Sequence, residues 1–194
     1  MNLIYFKITN YLLEKKISSK YKKYNLFNRK AKLTLKDGIY DGEILNFTLN
    51  GKGEIRYFNG DKFIGNFSNG KKTNGKFEFS NGDIYEGPFN NNDKKEGKGI
   101  YKFKDGKKYE GNFKDDLIEG KGKLIYLNGD SYEGYFINGK KEGNGKYNFE
   151  DGDYFEGNWK NDKREGIGKY VYSKENEISG IWENDKLKEK IEEN

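Results

Sequence analysis

A short motif returns at a nearly fixed interval along most of the chain, and this period limits the possible folds more than any other feature. In each copy an aromatic or aliphatic residue precedes x-Gly, as in Tyr132-Glu133-Gly134. The copies begin at Tyr40, Phe63, Tyr85, Tyr109, Tyr132, Phe155 and Ile178. Their spacings are 23, 22, 24, 23, 23 and 23 residues. A fixed period of this length predicts a repeat architecture, in which each supersecondary unit stacks on the next.

Each repeat holds two segments in which side chains alternate with a period of two, which is typical of β-strands. In the first segment of one repeat, for example, Tyr109, Gly111 and Phe113 share one face. Asn-Gly or Asp-Gly follows the second segment in five places, for example Asn128-Gly129. These dipeptides are the strongest short signal for a β-hairpin. The repeats are therefore predicted to be consecutive hairpins.

The length of the loop between repeats follows from which residues must share a face. Leu124 and Tyr132 lie on one face only if the loop holds an odd number of residues, so we predict a three-residue loop at 127–129 that pairs them. The same rule predicts further pairs: Tyr147 with Phe155, Ile55 with Phe63 and, across a two-residue loop at Asp37-Gly38, Leu35 with Tyr40.

These patterns predict an all-β protein, a single-layer, twisted and elongated antiparallel β-meander solenoid of hairpin repeats. We divide the chain into a basic and apolar N-terminal segment (1–32), the repeat array (33–184) and a charged C-terminal tail (185–194). Short helical caps are expected at both ends.

Composition is consistent with a packed sheet only because the apolar residues are mostly aromatic. Charged residues at 36% and a mean hydropathy of -1.14 are typical of disorder, whereas aromatic residues at 16% are not. Rings that cover strand glycines can form a thin packed layer. The opposite face is predicted to hold cross-strand ion pairs. These pairs would join Glu86, Glu110, Glu133 and Glu156 to Lys98 and Lys121.

Several function classes lack their usual residues. The chain has no cysteine and no histidine, so it has no thiolate nucleophile, no disulfide, and neither of the commonest zinc ligands. It has no D-x-D-x-D-G calcium loop, and no apolar run approaches the roughly 20 residues of a membrane span. The start, MNLIYFKITNYLL, has no charged segment before its apolar run, so we expect no secretory signal. We therefore expect a cytoplasmic protein that is not an enzyme and has no metal or cofactor.

The repeat sequence resembles the MORN repeat (membrane occupation and recognition nexus). Two good copies are YEGNFKDDLIEGKGKLIYLNGD (109–130) and YEGYFINGKKEGNGKYNFEDGD (132–153), and the resemblance covers about residues 33–184. It departs at Lys72-Thr73-Asn74-Gly75, which has one glycine where other repeats have two. The resemblance implies a scaffold, because MORN repeats are found in proteins that organise cytoskeleton, cilia or membrane contacts. Related repeats are also attached to lipid kinase domains, so a regulatory subunit of a lipid kinase or of a ciliary complex is another implied role.

The first functional hypothesis is a scaffold that binds a helical or extended segment of a protein partner along its aromatic face. A single-layer sheet can leave apolar surface uncovered, and such patches mark interaction sites. The alternative is that the rings only pack on each other and on the glycines. The candidate rings are Tyr85, Phe89, Tyr109, Phe113, Tyr132, Phe136, Phe155 and Trp159. A homodimer is also compatible with this face, and nucleic acid is not expected, because the repeats are not basic overall.

The second hypothesis is contact with phosphoinositide or another anionic lipid. Basic pairs recur in the interstrand loops, and Thr48-Leu49 and Leu117-Ile118 interrupt them. These pairs are Lys71-Lys72, Lys94-Lys95, Lys140-Lys141 and Lys163-Arg164. Residues 1–30 carry a net charge of +7, which includes Lys15, Lys16, Lys20, Lys22 and Lys23, and they are rich in apolar residues. This composition is typical of a surface anchor, and a segment that caps the first strand edge is the alternative. For the basic pairs in the loops, the alternative to lipid contact is that they are simply solvated surface charges. Association with the cytoskeleton or a membrane is therefore an expectation.

Overall fold

The computed structural model describes residues 29–172 and 176–192. All regular structure in these ranges is β-strand, and the described residues contain no helix. The predicted N-terminal cap lies outside the described residues. The strands are β1 (Arg29–Thr34), β2 (Gly38–Leu45), β3 (Thr48–Tyr57), β4 (Lys62–Ser68), β5 (Lys71–Glu78), β6 (Ile84–Pro88), β7 (Gly97–Lys102), β8 (Lys108–Lys114), β9 (Leu117–Ile125), β10 (Ser131–Ile137), β11 (Lys140–Asn148), β12 (Tyr154–Lys160), β13 (Lys163–Tyr172), β14 (Asn176–Glu183) and β15 (Lys186–Lys190).

The chain divides into two compact units after residue 93. The first unit contains β1–β6 and the second contains β7–β15. Within each unit every strand pairs antiparallel with the strand that precedes and follows it in sequence. The prediction of an all-β antiparallel meander built from hairpin repeats is confirmed.

The predicted register is confirmed between most repeats. Tyr132 lies opposite Leu124, and the amide N–H of Tyr126 donates to the carbonyl of Asp130 at 2.9 Å, which closes the predicted three-residue loop. The predicted partners of Phe155 and Phe63 are also correct.

The register at the first hairpin was predicted wrongly by two residues. Tyr40 lies opposite Leu33 and not opposite Leu35. The amide of Leu35 instead donates to the carbonyl of Gly38 at 2.8 Å, so the two-residue loop is Lys36-Asp37. Gly38 is needed inside β2 because a Cβ there would lie 2.5 Å from the carbonyl oxygen of Arg56. The glycine therefore permits close approach of β3 and does not form the turn.

Within each repeat a two-residue turn and a bulge position the second strand. Asn161 and Asp162 both have positive φ, at 48° and 70°, as a type I′ turn requires. In β11, Gly143 and Asn144 have no partner on β10, and Gly143 has a φ of 64°. This bulge brings Lys141 opposite Phe136, on the ring face of the sheet. In the repeat at 72–75, which has one glycine where others have two, the bulge leaves one residue of β5 without a partner on β4, compared with two residues in β11.

The C-terminal tail was predicted wrongly as a helical cap. Lys186–Lys190 form β15, which pairs with β14. Asn184 and Asp185 have φ values of 49° and 69°, so they form the same two-residue turn as the other repeats. This turn, rather than the charged composition of the tail, determines its conformation.

The core of each unit is a layer of rings that lie on paired glycines. Gly134 and Gly145 face each other across β10 and β11, and a Cβ on either one would overlap the Tyr132 ring. Tyr109 covers Gly111 and Gly122 in the same way. The prediction that rings cover strand glycines is confirmed.

The polar face has ion pairs in a different register from the one predicted. Glu110 and Glu133 both lie opposite Lys123, whereas Lys98 and Lys121 lie opposite an asparagine and a tyrosine. The reason is the direct pairing of the glycines. Each glutamate precedes the first glycine of a pair, so its partner is the residue that follows the second glycine.

Candidate partner-binding site

The rings predicted to bind a partner form the core of the sheet. Phe89 is half-buried, and the other seven predicted rings are buried. Tyr109, Tyr132 and Phe155 are 0% exposed. Neighbouring rings meet edge to face, with 5.2 Å between the centroids of Tyr132 and Phe136. The structure therefore favours packing as the role of these individual rings. It does not test partner binding by the face as a whole.

A second set of rings lies on the same face and is less buried. In the second unit, neighbouring members are 4.6 to 5.7 Å apart between centroids. We call this set the outer ring row. It consists of Tyr126, Tyr147, Phe149, Tyr170 and Tyr172.

The outer ring row leaves apolar surface uncovered. Tyr172 is 44% exposed, and the other four rings are half-buried. The row rests on the two tryptophans of the chain, since Tyr147 lies 6.0 Å from Trp159 and Tyr170 lies 6.5 Å from Trp182. A contiguous, partly exposed aromatic row of this kind is suited to bind a partner.

Aspartate carboxylates orient two rings of the row. The Tyr147 hydroxyl donates to Asp130 at 2.7 Å, and the Tyr170 hydroxyl donates to Asp153 at 3.1 Å. Burial and the neighbouring Asp153 raise the pKa of Tyr170 to about 12. Burial alone would raise the pKa of Asp130, but hydrogen bonds from Tyr147, Asn128 and a backbone N–H lower it. Both tyrosines are therefore held in the neutral form, and each hydroxyl is fixed by the hydrogen bond that it donates to a carboxylate.

The predicted row of basic pairs divides into two sets. The first residue of each pair is exposed, whereas the second is half-buried on the ring face. The exposed set is Lys71, Lys94, Lys140 and Lys163, and the ring-facing set is Lys72, Lys95, Lys141 and Arg164. Lys72 lies 5.5 Å from the centroid of Phe77, and Arg164 lies 4.5 Å from the centroid of Trp182. The alternative of purely solvated loop charge does not describe the ring-facing set, because the bulge turns these residues towards the rings.

An aspartate 21 residues further on accompanies each ring-facing cation. Asp185 accepts the backbone N–H of Arg164 at 2.9 Å and also lies 3.4 Å from its guanidinium. Lys72 and Lys95 have the same relation to Asp93 and Asp116. The aspartate side chain therefore joins one repeat to the next while it neutralises the cation.

The two interruptions of the basic row follow the same rule. Leu49 and Ile118 replace the ring-facing cation, and Gly70 and Gly139 replace the matching aspartates. In both cases the glycine N–H donates to the backbone carbonyl of the apolar residue at 2.9 Å. A cation is thus accompanied by aspartate, and an aliphatic residue by glycine.

Lys141 differs from the other ring-facing cations. Its ammonium lies 4.4 Å from the centroid of Trp159 and 4.9 Å from that of Tyr147. Asp162 accepts its backbone N–H, but no carboxylate oxygen in the described ranges lies within ion-pair distance of its Nζ. Burial among the rings lowers the pKa of Lys141, although Asp162 acts in the opposite direction. This ammonium is therefore a charge against the outer ring row that no described carboxylate pairs with.

Other classes of site find little support in the described part of the chain. No group of three or more acidic residues there could hold a metal ion. None of the described residues belongs to a helix long and apolar enough to cross a membrane. Lys15, Lys16, Lys20, Lys22 and Lys23, which we predicted as anion contacts, lie outside the described residues.

The fold and its ring layer define a β-hairpin repeat protein. A family model described as MORN repeat matches residues 63–84, 85–108, 109–131, 132–154 and 155–177. These consecutive matches cover more than half of the chain, and the chain belongs to the MORN repeat family. The hairpin at Tyr40 lies outside the matched residues, although Tyr40 is buried over Gly42 and Gly53 like its equivalents.

Two other comparisons add little. No curated protein matches the chain. A solved structure with a related arrangement is the TCP domain of SAS-4 (dCPAP) of Drosophila melanogaster, in complex with a proline-rich motif of Ana2 (dSTIL). It is 17% identical, with a TM-score of 0.47, and the alignment covers 81% of this chain and 80% of that chain. This likeness is too distant to carry an argument about function.

Proposed function

We propose that this protein is a non-enzymatic scaffold that binds a segment of a partner protein on the outer ring row. The observation that carries the proposal is the row itself, which consists of five contiguous, partly exposed rings next to the buried rings of the same face. Tyrosine, tryptophan and arginine are enriched among the few residues that dominate binding energy at protein interfaces, and an adjacent rigid layer keeps the ordering cost low. Location in the cytoplasm, on the cytoskeleton or at a membrane stays a prediction.

Proximity labelling in the native cell tests this function. We would compare the wild-type chain with the double variant Tyr126→Ala, Tyr172→Ala and with Tyr135→Ala as the control. Tyr135 is 44% exposed like Tyr172, but it lies on the opposite face of the sheet, opposite Lys121. We expect the double variant to lose a set of labelled proteins that the control retains.

The comparison requires that all three proteins fold equally well. The side-chain hydroxyls of Tyr126 and Tyr172 make no hydrogen bond to any described residue, so removal of these side chains leaves no buried group without a partner. Circular dichroism would check the fold. Identical labelled sets for the wild type and the double variant would show that the row is not the binding surface.

A further inference from the structure

The spacing of the outer ring row selects one type of bound segment. Tyr126, Phe149 and Tyr172 occupy equivalent positions at the ends of β9, β11 and β13. Neighbouring members are two strands apart, which is about 9.6 Å at about 4.8 Å per strand. A polyproline II helix rises about 9.3 Å per three-residue turn, so each turn meets the equivalent ring of the next repeat.

Other regular segments fit the spacing less well. In an α-helix that crosses the strands, the same face recurs after seven residues, or about 10.5 Å, so the mismatch grows to about 2 Å over two repeats. In an extended strand the same face recurs every two residues, at about 6.6 Å. The polyproline II helix is therefore the conformation whose repeat matches that of the sheet.

The polar groups of the row also match a proline-rich ligand. The Tyr126 hydroxyl, the Tyr172 hydroxyl and the Lys141 ammonium make no hydrogen bond within the described ranges. No buried side-chain nitrogen or oxygen in the described residues lacks a partner, so the donors on Tyr126 and Lys141 reach solvent. A proline residue has a backbone acceptor and no backbone donor, and thus complements a surface that supplies donors.

A positive charge lies against the row, with the Lys141 ammonium 4.9 Å from the centroid of Tyr147. Lys141 forms no ion pair with a described residue. Asp130 and Asp153 accept tyrosine hydroxyls, so these carboxylates are already engaged. Charge complementarity therefore favours a ligand with acidic residues.

We propose that the outer ring row binds an acidic, proline-rich segment in the polyproline II conformation, with one turn of the segment on each repeat. This proposal rests on the proposed function and specifies the chemistry of its partner. Lys141 pairs with an acidic side chain of the segment, and the rings of the row pack against its prolines.

Three synthetic peptides of about nine residues, or three turns, test the proposal on the full chain. The first contains prolines and glutamates. The second replaces every glutamate with lysine, and the third replaces every proline with alanine, which favours an α-helix. The fluorescence of Trp159 and Trp182 measures binding, because both indoles lie against the row. We expect the first peptide to bind about tenfold or more tightly than either of the others.

Protein variants identify the surface. Tyr126→Ala should weaken binding of the first peptide, and Lys141→Met should reduce its advantage over the lysine peptide. Tyr135→Ala is the matched control on the opposite face and should bind normally. If Tyr126→Ala loses its fold by circular dichroism, Tyr172→Ala takes its place.

The possible failures are distinct. Equal or tighter binding of the alanine peptide, or of the lysine peptide, would overturn the proposed ligand class. Absence of binding by all three would also overturn it. If labelling in the cell nevertheless depends on the row, the scaffold function stands with a different kind of partner. Labelling that does not depend on the row overturns the proposed function itself.

Discussion

Phe113 and Glu110 lie on opposite faces of β8, and their substitution tests which face holds the core. Phe113 is 3% exposed and packs edge to face on Tyr109 with 5.3 Å between centroids. We expect Phe113→Ala to lower the free energy of unfolding by about 2–4 kcal/mol, because it removes buried surface and leaves a cavity. Chemical denaturation of the purified chain measures this change.

Glu110→Gln is the control for this prediction. Its side chain is exposed, and its ion pair with Lys108, at 3.2 Å, is a surface pair. Such pairs contribute well under about 1 kcal/mol. A larger loss for Glu110→Gln than for Phe113→Ala would show that the faces are assigned the wrong way round.

At the scale of residues, the sequence predicts the core better than the site. Alternation identifies Tyr132 and Phe155 as neighbours of strand glycines, and both are buried. It does not separate them from Tyr147 and Tyr170, which share their face and lie directly opposite them on the neighbouring strands. The signal that was missed is the aspartate two residues before four of the seven ring-and-glycine motifs. Asp130 and Asp153 occupy this position, and each accepts the hydroxyl of a row tyrosine 17 residues further on.

At the scale of elements, carboxylates connect consecutive hairpins. Asn161 and Asn184, each the first residue of a turn, donate their N–H groups at 3.0 Å to glutamates 19 residues earlier. The carboxylate of the second residue in the same turns accepts a backbone N–H from the earlier repeat, as Asp162 does from Lys141. Each turn is therefore held by reciprocal hydrogen bonds to its neighbour.

Arg164 and Asp185 allow the charge in one such connection to be measured. We expect a double-mutant cycle with Arg164→Met and Asp185→Asn to give a coupling energy of about 0.5–1 kcal/mol. Asparagine tolerates the positive φ of 69° and can still accept the Arg164 N–H, so the cycle isolates the charge. The coupling should fall as salt concentration rises.

The uncharged version of this connection supplies the comparison. Ile118 and Gly139 occupy the same two positions, so Ile118→Val should show no dependence on salt beyond that of the wild type. An additive cycle for Arg164 and Asp185 would mean that the aspartate acts only through its backbone hydrogen bond.

Turns were predictable where glycine has positive φ and not where it has another role. Gly129, with a φ of 91°, closes the predicted three-residue loop. Gly38 also follows a typical turn residue, Asp37, but it lies in β2, where the absence of a side chain permits close contact with β3. The aspartate connections were not predicted either, because they join residues 21 positions apart in different hairpins. The sequence nevertheless contains a sign of these connections, because Asp162 and Asp185 occupy the position that Gly139 occupies in the preceding repeat.

At the scale of the whole chain, charge is distributed unevenly. Residues 1–30 carry +7 and the full chain carries +5, so residues 31–194 carry −2. Within the array, carboxylates lie close to part of the basic row, with 3.9 Å between Lys71 and Asp93 and 4.0 Å between Lys94 and Asp115. Attraction to an anionic surface is therefore expected to come from the N-terminal segment more than from the array.

Truncation of the chain to begin at Arg29 tests this distribution. Arg29 is the first residue of β1, so every described strand is retained, and we expect the truncated protein to stay folded. In the cell it should become more diffuse than the full chain, because each Lys or Arg near an anionic surface contributes about 1 kcal/mol and six lysines are removed. Fluorescence imaging of both proteins measures the difference, and vesicles with and without anionic lipid test its cause. Equal localisation of the two proteins would exclude the anchor. Aggregation of the truncated protein would instead show that residues 1–28 cover the edge of β1, which is the capping alternative.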